Sequence, residues 1–292
     1  MLGFQPPSIG DEEVAAVAET LRSGWLTSGP RATELERRMA EYLEADHVLA
    51  LASGTAALHL SLVALGIPVI EDAAHALESR YRGRKVGSIC DVTCFSLYAT
   101  KNVAAGEGGL IATGKPELAD AVRDLRLMRR GDGSRYDIPV PGYKANLPDV
   151  LAAIALVQLD KVDEHAAIRA RQFALYDEAV ADLDGVTPLA RDPHDTHALH
   201  LYVVRIDPER TGATRDEYQR ALMEENIATS IHFLAVHTLT WYRERLPQQF
   251  RLPVAERASN EVLSLPLSPA HSDDDIRDAI AALRRVHERF TQ

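Results

Sequence analysis

Cysteine is scarce: the 292-residue sequence holds two, Cys90 and Cys94. No second pair exists to complete a zinc site, and the two read as reduced, buried thiols. Basic residues are in deficit, 32 Lys and Arg against 43 Asp and Glu, for a formal net charge of −11. That balance gives no positive field to hold a polyanion and argues against nucleic acid as a partner. Long apolar runs are missing, since nothing approaches the roughly 18 residues of a membrane span. The opening stretch MLGFQPPSIGDEEV has neither the basic nor the apolar region of a secretion signal. A cytoplasmic protein with no membrane partner is the expectation. Repeats and low-complexity tracts are absent too, and 46% hydrophobic content suits one large or two smaller domains working on small molecules.

The apolar spacing of Val14, Val17, Ala18 and Leu21 predicts a helix over 11–22, and a second follows over 32–43 after the turn-rich SGWLTSGP. HVLALA (47–52) reads as a strand that stops at Ser53-Gly54-Thr55, where the helical run AALHLSLVAL begins. Further strands are expected at 68–72, 92–98 and 109–113, and a helix at 116–130. Residues 147–184 read as mostly helical, with Pro148 suited to a first turn. Strands at 199–206 and 228–233 and helices at 215–225 and 273–290 follow. An α/β half followed by an α+β half predicts a large domain over 1–170 and a smaller one over 171–292.

Three features carry chemistry. Asp72 closes an apolar strand, where an acid must meet a cation or reach solvent, and strand ends of this kind host ligands in α/β sheets. Lys101 follows the next strand, just before the glycine-rich AAGEGG, and a lysine so placed can lose its proton and attack a carbonyl as a Schiff base. Ser53-Gly54-Thr55 opens a helix, whose free N–H groups and positive dipole end make a phosphate seat, although plain capping explains the same residues. Ser96 is a further hydroxyl donor. A phosphate seat, a strand-end carboxylate and a reactive lysine are the parts needed to hold pyridoxal phosphate. The triplet His194, His197 and His200 lacks an acidic or thiol ligand to complete a metal set, and no metal is expected.

The blocks SGTAAL, IEDAAHA, GSICDVTCFSLYATKNVAAGEGG and PGYKANLPDVLAAIALVQL resemble, in order, those of the DegT/DnrJ/EryC1/StrS aminotransferases, which aminate keto sugars on nucleotides. THALHLYVVRID, TSIHFLAVHTLTWYRERL and VLSLPLSPAHSDDDI continue the likeness over nearly the whole chain. The resemblance implies an α/β protein with the fold of type I pyridoxal-phosphate transferases, like aspartate aminotransferase, with a mainly parallel sheet and a smaller α+β C-terminal domain. It assigns Lys101 to the Schiff base and to proton transfer, and Asp72 to the pyridine nitrogen. Gly54, Thr55 and Ser96 fall to the phosphate, His75 to the ring, and Asn146 to the cofactor phosphate of a neighbouring subunit in a homodimer. It also brings Trp25, Thr27, His232 and His237 near the substrate. A lysine at 101 sets the chain apart from the dehydratase branch of the family, which has histidine there.

Between Ala64 and Pro68 the pattern breaks. Where the family continues through several βα units, this chain passes at once to PVIEDAAHA, an omission on the order of 80 residues at about 30 per unit. The break falls near 66/67 and takes with it the aromatic that stacks on the ring. The resemblance implies a sheet order of 3-2-4-5-6-7-1, so the loss of strands 2, 3 and 4 trims one edge and leaves 5-6-7-1. The helix over 55–65, at 1.5 Å per residue, spans about 16 Å, and three strand spacings require about 14 Å. The expected function is transfer of an amino group, with glutamate as donor, to a nucleotide-linked keto sugar. The alternative is an impaired or silent homologue that only binds or dimerises.

Overall fold

The computed structural model describes residues 1–65, 70–127, 141–247 and 250–292. They form two compact units. One holds Ile9–Ala166 with Asp192–His200, and the other holds Met1–Ser8, Ala167–Arg191 and Leu201–Gln292. Compared with the expected division at 170/171, the first eight residues go with the C-terminal part, and 192–200 go with the N-terminal part.

The first unit contains α1 (Asp11–Ser23), α2 (Pro30–Leu43), β1 (His47–Leu51), α3 (Gly54–Leu65), β2 (Ile70–Asp72), the two-residue strands β3 (Arg80–Tyr81) and β4 (Arg84–Lys85), β5 (Val92–Ser96), β6 (Gly109–Thr113), α4 (Pro116–Leu127) and α5 (Asp149–Asp160). Its four-stranded sheet runs β1-β6-β5-β2, with β2 at an edge. This is the order left when the family's strands 2, 3 and 4 are removed. The direction needs a correction: β6 is antiparallel to both neighbours and only β2–β5 is parallel, so the shortened sheet is mixed rather than mainly parallel. The connection from β5 to β6 folds back on itself as a hairpin, with Leu97 N bonded to Gly108 O and Ala99 N to Gly106 O, and carries no crossover helix of the kind that joins parallel strands.

Both faces of the sheet are covered. Val48, Ala50, Phe95, Leu110 and Ala112 pack with Leu35, Met39 and Leu156, while Leu49, Leu51, Cys94 and Ile111 pack with Ala57, Leu60 and Val122. This alternation is the period of two by which successive side chains leave opposite faces. Burial drives the Cys94 thiol up to about 11, the state of an inert apolar side chain. Among the described residues no helix is long and apolar enough to cross a membrane.

The expected helix over 147–184 is two. α5 ends at Asp160 with Lys161 as its C-cap, and α6 (Val162–Val180) begins after it. The interruption turns the Lys161 amine onto the buried Glu13 carboxylate of α1, at 3.0 Å, and Gln158 reaches the same oxygen at 2.7 Å. A buried carboxylate is costly without such partners.

The second unit holds β7 (Val186–Pro188), β8 (Tyr202–Ile206), α7 (Pro208–Thr211), α8 (Arg215–Glu224), α9 (Thr240–Arg243), α10 (Pro253–Glu261), β9 (Val262–Leu265) and α11 (Asp273–Thr291), with an antiparallel sheet β7-β8-β9. The expected strand 199–206 starts only at Tyr202, because Leu199 has a positive φ of 50°, incompatible with an extended run. The expected strand 228–233 does not form. Its backbone meets β9 only at the Ser230–Ser264 bridge among the described residues, with no further ladder on either side of it. The strand residues Pro68 and Val69, and the helical residues 128–130, lie outside the described residues.

Candidate active site

Four chain segments end around one cavity of about 330 Å³, lined among others by Gly54, Thr55, Asp72, Ser96 and Lys101. At its floor, β1 gives way to α3. Ser53 Oγ accepts from Ala56 N at 3.0 Å and caps the helix, so Ser53 itself satisfies the capping reading. The earlier N–H groups, at Gly54 and Thr55, have no partner within the helix. Two glycines permit the approach. A Cβ on Gly109 would lie 2.2 Å from the Ser53 carbonyl oxygen, and one on Gly54 would lie 3.2 Å from the Ser96 Cβ.

Asp72 ends β2, and its carboxylate accepts from Ala74 N at 3.0 Å. Ala73 N donates to Cys94 O at 2.8 Å, which keeps the turn after Asp72 in line with β5. Lys101 sits on a tight excursion between β5 and β6. Leu97 N to Gly108 O (2.9 Å), Ala105 N to Leu97 O (2.8 Å) and Ala99 N to Gly106 O (3.0 Å) continue the strand pairing toward the lysine. Burial pushes the Lys101 amine below the ordinary lysine range, and the Asp72 charge opposes that shift. The amine thus loses its proton more readily than an exposed lysine does, and it faces the Asp72 charge.

The other expected site residues lie elsewhere. His75 packs on His200, ring centroids 4.3 Å apart. Asn146 is buried, donating from Nδ2 to Ser28 Oγ at 2.7 Å and accepting from the Lys144 amine. The Thr27 carbonyl accepts from Asp149 N at 3.0 Å, and Trp25 is half exposed. His232 and His237 belong to the second unit. There His232 Nδ1 is 2.8 Å from Ser264 Oγ, and His237 Nε2 is 3.1 Å from Glu256 Oε1. Sequence reasoning missed Glu107, which lines the cavity. The available signal was an acid inside AAGEGG, directly after the lysine. Among the described residues no group of three His, Cys, Asp or Glu could hold a metal.

The donor set suits pyridoxal phosphate on one side: an amine, a carboxylate, a hydroxyl and a helix N-terminus face one cavity. No ring stacks there among the described contacts, although Tyr98, about half exposed, lies on the rim. Fold and site together define a pyridoxal-phosphate-dependent enzyme of fold type I.

The chain belongs to the DegT/DnrJ/EryC1/StrS aminotransferase family, whose model matches residues 7–68 and 64–284. It is 33% identical over 377 residues to the spore coat polysaccharide biosynthesis protein SpsC of Bacillus subtilis (strain 168), covering 98% of this chain and 97% of that protein. The putative sugar aminotransferase Spr1654 from Streptococcus pneumoniae, in its apo form, superposes with a TM-score of 0.90 at 26% identity, covering 99% and 98% of the two chains. The same protein has been solved in forms with PLP and with PMP. DesI, solved in the presence of its TDP-sugar product, superposes with a TM-score of 0.89 at 27% identity, covering 99% and 94%. The 377-residue match exceeds the 292 residues of this chain, so SpsC carries residues with no counterpart here. The two pieces of the family match meet at 64–68.

Proposed function

We propose that this aminotransferase moves an amino group from glutamate to a keto sugar carried on a nucleotide, working as a cytoplasmic homodimer. The observation that carries the reading is the single cavity shared by Lys101, Asp72 and the start of α3. DesI, with its TDP-sugar product, supports the nucleotide-linked substrate. Pyridoxal phosphate, when bound, supplies the electron sink for negative charge at the substrate carbon.

This chain's residues do the rest. The Lys101 amine, whose burial eases the loss of its proton, holds the cofactor and carries the proton on and off the reacting carbon. Asp72 keeps a proton on the pyridine nitrogen. The Gly54 and Thr55 N–H groups and the Ser96 hydroxyl hold the phosphate at the positive end of α3. His75 backs the ring, and Asn146 serves the phosphate of a neighbouring subunit. Trp25, Thr27, His232 and His237 contact the sugar nucleotide. The region 1–170 is the cofactor-binding domain, and 171–292 is the smaller α+β domain.

Pyridoxal phosphate followed by borohydride is expected to leave one phosphopyridoxyl group, on Lys101, with none in Lys101→Ala. The edge position of β2 and the exposed Leu62 and Val63 of α3 favour a second reading, a homologue that only binds or dimerises. A folded wild-type protein that takes no group would overturn the first reading and favour the second.

A further inference from the structure

Lys101 is followed by Asn102, a buried amide committed on both sides. Its Nδ2 donates to Glu78 Oε2 at 2.7 Å and to the Ala198 carbonyl at 2.9 Å, and its Oδ1 lies 2.7 Å from His200 Nδ1. Both amide protons are therefore used. The partners come from two stretches distant in sequence. Glu78 lies in the turn that leaves Asp72, where Ala76 N donates to Ala73 O at 2.9 Å and Ser79 N to Ala76 O at 3.0 Å. Ala198 and His200 belong to segment 192–200, which is stitched to the same turn by reciprocal 2.9 Å bonds between Arg80 and Thr196 and by Ala198 N to Ser79 Oγ at 3.2 Å. Asn102 is thus the node where the lysine loop, the stretch carrying Asp72 and a remote segment meet. Next to it, Val103 anchors the same loop by apolar burial alone.

We propose that Asn102 is a positioning residue, which fixes the Lys101 amine beside Asp72 by tying the lysine loop to Glu78 and His200. The inference rests on reading Lys101 as the reacting amine. Burial and the Asp72 charge set that amine's proton affinity from opposite directions, and both depend on where the loop sits. Removing the amide leaves the Glu78 carboxylate and the His200 ring without this partner, and it unties the loop on the side facing the Asp72 turn. Loosening admits water to the amine, which restores its hold on its proton.

The test uses the full chain without cofactor. Trace acetylation with acetic anhydride across a pH series, read by mass spectrometry, gives a titration midpoint for Lys101, with Lys115 as internal reference. In Asn102→Ala the Lys101 midpoint is expected to move to higher pH. Below it, the Lys101-to-Lys115 labelling ratio should fall about threefold or more. Val103→Ala trims the loop's apolar anchor but leaves every bond of the Asn102 node in place, so it should lower stability while leaving the midpoint unchanged. Should Asn102→Ala not fold, His200→Gln removes one bond of the node and should move the midpoint the same way by less. A folded Asn102→Ala with the wild-type midpoint, or Val103→Ala shifting it equally, overturns the proposal. Because no cofactor enters, this result stands apart from the borohydride experiment.

Discussion

Replacing Asp149 with alanine removes an acceptor shared by three backbone N–H groups at the start of α2. The carboxylate is fully buried. Its Oδ1 accepts from Gly29 N and from Ala32 N at 3.1 Å, and its Oδ2 accepts from Arg31 N at 3.0 Å. It thus caps a helix that begins some 120 residues earlier in the chain. A lost cap costs about 0.5–2 kcal/mol, and buried donors left unpaired cost about 1–3 kcal/mol more, partly offset because a carboxylate no longer has to be desolvated. We expect about 3 kcal/mol for Asp149→Ala. Asp149→Asn keeps one oxygen for Gly29 and Ala32 but turns an NH₂ toward the Arg31 N–H, and about 1.5 kcal/mol is expected. The sequence has two tryptophans, one in each unit, so a Trp241→Phe background leaves Trp25 as the reporter beside the cap. Urea unfolding followed by Trp25 fluorescence measures both variants. Equal losses in the two, or a loss below about 0.5 kcal/mol in the alanine variant, would refute the reasoning, since the argument depends on acceptor geometry and not on size.

Gly109→Ala places a Cβ 2.2 Å from the Ser53 carbonyl, so we expect a loss of at least about 3 kcal/mol in urea and weaker cofactor uptake by absorbance titration, because the strain falls on the seat at Gly54. In the second unit, burial lowers the affinity of both His271 and His287 for a proton. The unfolded chain therefore binds protons first as pH falls. Stability should be full above about pH 6.5 and drop below it, by up to about 1.4 kcal/mol per pH unit for each histidine. Urea midpoints at pH 7.5 and 5.5, with a slope that lessens in His287→Phe, check this. Leu62 and Val63 are 59% and 47% exposed on α3, a helix apolar on all sides. Leu62→Lys should change stability by under about 0.5 kcal/mol while lowering binding of a hydrophobic dye and self-association.

Local features were the most legible. β6 falls at 109–113 as its apolar run indicates, and α11 starts behind Ser272 with a capping box. That Asp72, Gly54, Thr55, Ser96 and Lys101 line one cavity follows from where they stand, at or just beyond the ends of elements, and such ends converge in an α/β sheet. What failed depended on partners distant in sequence. The position of β6 between β1 and β5 followed from the resemblance, but its antiparallel direction leaves no trace in the spacing of either strand. Asp149 reads as an ordinary first-turn acid, and only the fold shows that it serves another helix. Asn102 was passed over because its three partners lie 24 to 98 residues away. The packing of the His75 ring on His200, 125 residues on, is likewise a contact that no spacing rule contains.

The place of β6 in the sheet also bears on how the chain folds. Because β1 pairs with β6 rather than with β2, the centre of the sheet cannot close until Gly109–Thr113 have left the ribosome, and until then the apolar α3 waits without its sheet. An insertion of about 80 residues between β1 and β6 would make the same closure span a loop more than twice as long, at about 0.8 kcal/mol more in chain entropy. The shortened chain thus reaches its central pairing sooner and at lower entropic cost. The same omission that opens one edge of the sheet in the finished protein therefore shortens the interval in which its apolar segments are exposed during synthesis.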